Sequence, residues 1–401
     1  MACRICSSAT RTLIDLGESP PANSLKDSPD QVDQSYPLVV EVCDVCANVQ
    51  MRDCIDASVL YSHYSYMTPD SPSLAQHYEH LFSHVTDRGL VNRDSYVLEV
   101  GSNTGLFLQH IKQRVGRVLG IDPAENICHI ANASGIETVC DFFNGRSADA
   151  LKKQVGRPDL IVARHCFAHN RDPHEMLRGV TSLLDARGHF VIENAYLLNT
   201  IENNEFDQIY HEHMFYYSIR SMKALLALHG MHVVDVLPVP IHGGSIVFLT
   251  KKIAPGDRVH ATVQQYAAQE ERSLTPEAFD RFVSNTLEIR QHLRATIDEL
   301  TAARKLIYTY GATAKGNTLL NYVGITAGQV PCCVDSTPIK QGRYLPKSNI
   351  RIVSEEDALR SPPDFFLLTA WNYRDEIVAK VRRAGNARSR FIVPIPSVHM
   401  L

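Results

Sequence analysis

Between residues 95 and 252, short apolar runs alternate with longer stretches in which apolar side chains recur every three or four positions. The runs at 96–100, 118–121, 137–139, 160–164, 189–193, 232–236 and 245–250 predict strands. The stretches at 102–113, 125–133, 174–184 and 219–228 predict helices between them. Such alternation makes an α/β fold, with a mostly parallel sheet and helices on both faces. Ligands bind such sheets at the carboxyl ends of the strands, so residues 101–105, Asp122, residues 141–143 and residues 165–169 should share one edge. A further helix is predicted over 73–88. After Lys252 comes a charged, helix-period connector, with Thr275-Pro276 at a helix start. Strands at 305–310, 329–334 and 364–369, with a turn at 311–317 opening a helix, then predict a smaller α/β domain. The expected divisions are 1–60, 61–254, 255–304 and 305–401.

The first strand of the central region runs into Glu99-Val-Gly101-Ser102-Asn103-Thr-Gly105, a tight turn at a helix start. Glycine is needed where backbone must approach a ligand, often with positive φ. The spacing is not the dinucleotide pattern G-x-G-x-x-G; it resembles the looser Glu-x-Gly-x-x-x-Gly of class I S-adenosylmethionine methyltransferases. Asp122 ends the next strand, seventeen residues after Gly105, where a carboxylate can accept from two ribose hydroxyls. Asp141 and Phe142 lie where adenine would be contacted, although two phenylalanines there also suit a core. Tyr64 and Tyr66, in an aromatic stretch before Pro69, either pack as a linker or close over the cofactor entrance.

Composition narrows the class. The chain has 401 residues, 44% hydrophobic and 21% charged, with net charge −4 and no long run of one sign, so nucleic acid is not an expected partner. No apolar run reaches membrane-span length and no signal peptide is read, which leads us to expect a cytoplasmic protein. Ten cysteines then need a role other than disulfides. Cys3-x-x-Cys6 and Cys43-x-x-Cys46 predict one structural zinc site of four thiolates, with the stretch from Pro20 to Pro37 as a loop or small hairpin between the pairs. Four thiolates leave no open position for catalysis. Cys54 reads as a core thiol.

The densest chemistry lies at Tyr210-His211-Glu212-His213, followed by Tyr216 and Tyr217. Phenols, imidazoles and a carboxylate at this density suit proton transfer. A metal site on His211 and His213 is a weaker reading, because helical His spacing and further ligands are missing. His165 and His169 follow the fourth strand and fit either a structural or a chemical role. Lys315, on the turn at 311–317, could hold an anion.

Taken with His242-Gly-Gly-Ser245 and Gly342-Arg343-Tyr344-Leu-Pro346, these motifs resemble, in order along nearly the whole chain, the nucleotide-sugar C-methyltransferases of deoxysugar pathways. The resemblance implies an N-terminal zinc-binding module, a central class I Rossmann-like methyltransferase domain and a smaller C-terminal Rossmann-like domain. A sugar nucleotide would bind between the last two. It implies His213 as the base, with Tyr210, Glu212 and His169 beside it, and methylation at C-3, next to the keto group of a 4-keto sugar. Candidate substrate residues are His165, His211, Lys315, Arg343 and Tyr344. The chain departs from the family pattern at His165, where Asn is expected, and at Thr104, where Asp is common. Expected cofactors are S-adenosylmethionine and structural Zn2+, in a monomer or homodimer. Rival readings are an O- or N-methyltransferase on a related sugar or small polar metabolite, and a non-catalytic protein that binds S-adenosylmethionine or a sugar nucleotide.

Overall fold

The computed structural model describes residues 1–56, 59–60, 67–68 and 71–401. Strands β1 (Arg11–Ser19), β2 (Tyr36–Val42) and β3 (Val49–Met51) form an antiparallel meander at the N-terminus. The interval between the cysteine pairs is thus a full hairpin, pairing Arg11 with Val42 at one end and Ser19 with Tyr36 at the other.

The central sheet contains β4 (Tyr96–Val100), β5 (Arg117–Asp122), β6 (Thr138–Cys140), β7 (Leu160–Arg164) and β8 (His189–Ala195). All of these pair in parallel. The short β9 (Phe215–Tyr216) leaves this sheet, and β10 (Met231–Val239) and β11 (Ser245–Lys252) close it in antiparallel pairing. The order is β10-β11-β8-β7-β4-β5-β6, so the chain reverses direction across the sheet at β4 and β7, where a crevice opens. Alternate residues serve opposite faces. Leu98 and Val100 pack into one core, whereas Val97 packs with Leu74, Leu81 and Phe107 in the other.

The expected helix at 102–113 is only Leu106–Ile111, because residues 101–105 are spent on the turn, with φ of 65° at Gly101, 48° at Asn103 and 78° at Gly105. Two further helices, Gly145–Val155 and Leu197–Glu202, lie between strands of the alternation. The first starts at a capping box between Asn144 and Ser147. Strand β9 joins β3, pairing Val49 with Tyr216 and Gln50 with Phe215, so the segment around His213 completes the N-terminal sheet.

The connector forms helices Ala261–Ser273 and Pro276–Ala302, the second capped by Thr275. Strands β12 (Ile307–Tyr310), β13 (Cys332–Val334), β14 (Arg351–Val353), β15 (Phe365–Leu368) and β16 (Arg390–Val393) form a parallel sheet, with β17 (His399–Met400) antiparallel at its edge. One hydrophobic core joins Leu38 and Val40 of the N-terminal sheet, Phe282 and Leu293 of the connector and Leu319 of the last domain. No helix among the described residues is long and apolar enough to cross a membrane.

Candidate active site

The carboxyl ends of β4, β5 and β7 open onto a cleft of 1190 Å³, whose far wall is the C-terminal domain at Gly311, Lys315, Asp335 and Tyr373. At Gly101 a Cβ would collide with the Cys166 side chain, so this turn needs glycine for space as well as for its positive φ. Ser102 Oγ is buried without a partner. The Asp122 carboxylate accepts from the backbone N–H of Asn103 and of Ala124, each at 3.0 Å, and burial raises its pKa. Its remaining lone pairs suit a diol. Phe142 leaves a large ring 46% exposed at the cleft edge beside Asp141, as an adenine platform would require. The cradle, carboxylate and ring fit S-adenosylmethionine.

His213 sits deeper in the cleft. Its Nδ1 is 2.9 Å from the Gln208 carbonyl, which can only accept, so Nδ1 carries the proton. Nε2 must then accept, and the Tyr210 hydroxyl donates to it at 2.6 Å. Burial holds His213 well below the ordinary imidazole range, so it is neutral at pH 7. His169 lies against it, ring centroids 5.2 Å apart, with Nε2 buried and unpartnered. Burial pushes His169 down to about 3. Glu212 is raised to about 7 by burial, which the Asn23 side-chain amide opposes by donating to both its oxygens at 2.9 and 2.8 Å. One wall thus carries a lone-pair base, a phenol and a carboxyl poised near neutrality.

On the opposite wall Lys315 Nζ lies 3.3 Å from the His242 carbonyl, 3.7 Å from Glu205 and 4.2 Å from the centre of the Trp371 ring. The Trp371 indole donates to Asp207 at 2.6 Å. Burial raises Glu205 to about 7 against the pull of Lys315. A Cβ at Gly243, where φ is 100°, would strike the Glu205 carboxylate, and one at Gly244, where φ is 128°, would strike the Asn199 side chain, which together explain the Gly-Gly pair after His242. His165 reaches Glu193 at 3.3 Å, and His77 reaches the same carboxylate at 2.8 Å.

Several expected site residues are elsewhere. Arg343 pairs with Asp27 at 2.8 Å and donates to the Leu25 carbonyl, while Tyr344 bridges to Lys26; both fasten the N-terminal hairpin to the last domain, outside the cleft. His211 points away from His213, toward the Pro37 carbonyl at 3.3 Å and the Tyr36 ring. Glu99 lies beneath the cofactor turn, fully buried and bonded to Arg164. Gly105 makes room for Ile136 and does not face the cleft. Tyr64 and Tyr66 lie outside the described residues. Sequence reasoning missed Arg164, Glu193 and Asn23. The first two carried a signal, a charge inside an apolar strand; Asn23 carried none.

The four cysteines Cys3, Cys6, Cys43 and Cys46 place their sulfurs within 4.8 Å of one another. The Cys3–Cys46 and Cys6–Cys43 separations are 3.5 and 3.6 Å, close to the ~3.8 Å edge of a tetrahedron with Zn–S bonds of about 2.3 Å. The Ile5 N–H and the Asn48 amide donate to Cys3 Sγ, as suits a thiolate. Cys54 stands apart from this group and packs against the core.

Family models match residues 3–61 as a putative zinc binding domain, 74–236 as a methyltransferase domain and 240–396 as a C-methyltransferase C-terminal domain. The C-methyltransferase NovU of Streptomyces niveus is 36% identical over 405 residues, covering 100% of this chain and 96% of NovU. Among solved structures, magnesium protoporphyrin IX methyltransferase of Synechocystis PCC 6803 with bound S-adenosylmethionine is 12% identical and aligns with 45% of this chain and 80% of its own, at a TM-score of 0.34. The N-methyltransferase NodS of Bradyrhizobium japonicum is 13% identical and aligns with 46% and 99%, at 0.35. With full-length identity to NovU, three matched domains in order and a cleft that fits the cofactor, the chain belongs to the C-methyltransferase family and is an S-adenosylmethionine-dependent methyltransferase with a structural zinc site.

Proposed function

We propose that the protein methylates C-3, the carbon next to the keto group, of a nucleotide-linked 4-keto-deoxysugar, through an enolate. The observation that carries this reading is the Tyr210–His213 pair, hydrogen-bonded at 2.6 Å, with the His169 ring packed against His213. S-adenosylmethionine supplies an electrophilic methyl group. A sugar carbon is no nucleophile until it loses a proton, and an adjacent ketone makes that loss feasible. Because Nε2 is already occupied by Tyr210, the phenol oxygen takes the substrate proton as its own passes to His213. His169 Nε2, if it carries a proton, donates to the developing enolate oxygen. Lys315, across the cleft, suits the diphosphate of the nucleotide. The thiol-rich N-terminal module suits a reducing cytoplasm.

Product NMR after reaction with 13C-methyl-labelled cofactor and dTDP-, GDP- or CDP-linked 4-keto-deoxysugars tests the reading. A labelled methyl bonded to the carbon beside the ketone supports it; a labelled methoxy or N-methyl group refutes it. The pH profile adds a second check. With His213 neutral through the physiological range, kcat should show no acid limb near the ordinary histidine value. A limb at pH 7 would make Glu212 the proton acceptor instead.

A further inference from the structure

The proton chemistry above does not use the buried pair of Glu99 and Arg164. The Arg164 Nε and Nη2 groups both donate to one oxygen of Glu99, at 2.9 and 2.7 Å. That uses two of the five guanidinium N–H hydrogens; the Tyr78 hydroxyl is also within reach of the group, and N–H hydrogens remain for a further acceptor. The group cannot wander, because the Tyr78 ring lies 4.6 Å and the Phe107 ring 4.7 Å from it. It is 11% exposed and lines the cleft.

Its position is beside the cofactor turn. Register pairs Val100 with Ala163, so Arg164 follows where Gly101 begins the turn. The Cys166 thiol donates to the Val100 carbonyl at 3.0 Å and fills the space that a Cβ on Gly101 would need. Residues 164–166 are therefore a wall of that turn.

A guanidinium is a cation that donates and never accepts, so among the groups of a bound ligand it favours an anion. S-adenosylmethionine offers one anionic group, the methionine α-carboxylate; its sulfonium and ammonium are cations. We propose that Arg164 anchors this carboxylate, and that Glu99 is the positioning residue that orients the guanidinium. Glu99 then serves the cofactor without touching it, which accounts for an acid at that place in the turn motif being buried beneath the ligand.

The test compares S-adenosylmethionine with its decarboxylated analogue by calorimetry on the zinc-loaded protein. Wild type should prefer the natural cofactor by roughly 10- to 100-fold, the scale of a charge-assisted hydrogen bond. Arg164→Gln should lose about that factor for S-adenosylmethionine, while its affinity for the analogue changes by less than about threefold. Glu99→Gln should narrow the preference, because the arginine is no longer held. The double variant Glu99→Gln/Arg164→Gln leaves no unpaired buried charge and should show the same lost preference if the single variant folds poorly. Equal binding of both ligands by wild type, or equal weakening of both in Arg164→Gln, would overturn the assignment. So would a variant that keeps its cofactor preference and loses affinity for the sugar nucleotide, because the anion held would then be the diphosphate.

Discussion

His213 is uncharged at neutral pH because burial disfavours its cation, and its orientation follows from two hydrogen bonds with opposite demands. His213→Ala should therefore bind S-adenosylmethionine and keep its fold, while turnover falls by roughly 10²–10⁴-fold. Tyr210→Phe should fall comparably if the phenol relays the proton; near-wild-type turnover in that variant would mean His213 acts alone. Glu212 makes a prediction about stability. Its folded pKa is raised from 4.5 to about 7, so its contribution is fully present below pH 4.5 and is lost as pH rises through 7. Glu212→Gln cannot lose it. The variant's stability relative to wild type should rise by roughly 1–3 kcal/mol between pH 4.5 and pH 8, measured by denaturant unfolding at each pH. The crowding of proton-transfer groups around Tyr210 and His213 could be read from the sequence. The separation of His213 from its neighbour His211 could not, since it depends on the turn after Gln208 and on contacts with Tyr36 and Pro37.

Periodicity located β4, β5, β7 and β8 well because each is buried on both faces and flanked by turn residues. It overextended the helix after β4, because the left-handed residues Gly101, Asn103 and Gly105 hold the turn open longer than an apolar pattern can show. It missed β9, two residues whose strand character comes from pairing with β3, more than 160 positions earlier. The turn itself can be tested. Gly101→Ala places a methyl against Cys166 at a φ of 65° and should weaken S-adenosylmethionine binding by at least about tenfold. Unchanged affinity in a calorimetric titration would show that the turn can yield.

Over the whole molecule, the zinc module reaches the cleft wall around His213 without lining it with cysteines. Asn23 crosses 189 positions to hold Glu212, and β3 pairs with β9 immediately after His213. Arg343 and Tyr344 tie the same module to the last domain; in sequence they stood as substrate ligands because their motif carries part of the family resemblance and an arginine suits a diphosphate. Cys43→Ser/Cys46→Ser should therefore lose bound zinc, by elemental analysis, and lose turnover with it, although neither residue meets substrate. Retained turnover in zinc-free protein would separate the module from the reaction. In the proposed reaction, carbon methylation begins with proton removal by the Tyr210–His213 pair. The most direct measurement is mass spectrometry of 4-keto sugar nucleotides incubated with enzyme in deuterium oxide, wild type beside His213→Ala. Deuterium uptake next to the ketone that wild type catalyses and His213→Ala abolishes is the predicted result; equal uptake by the two proteins would contradict it.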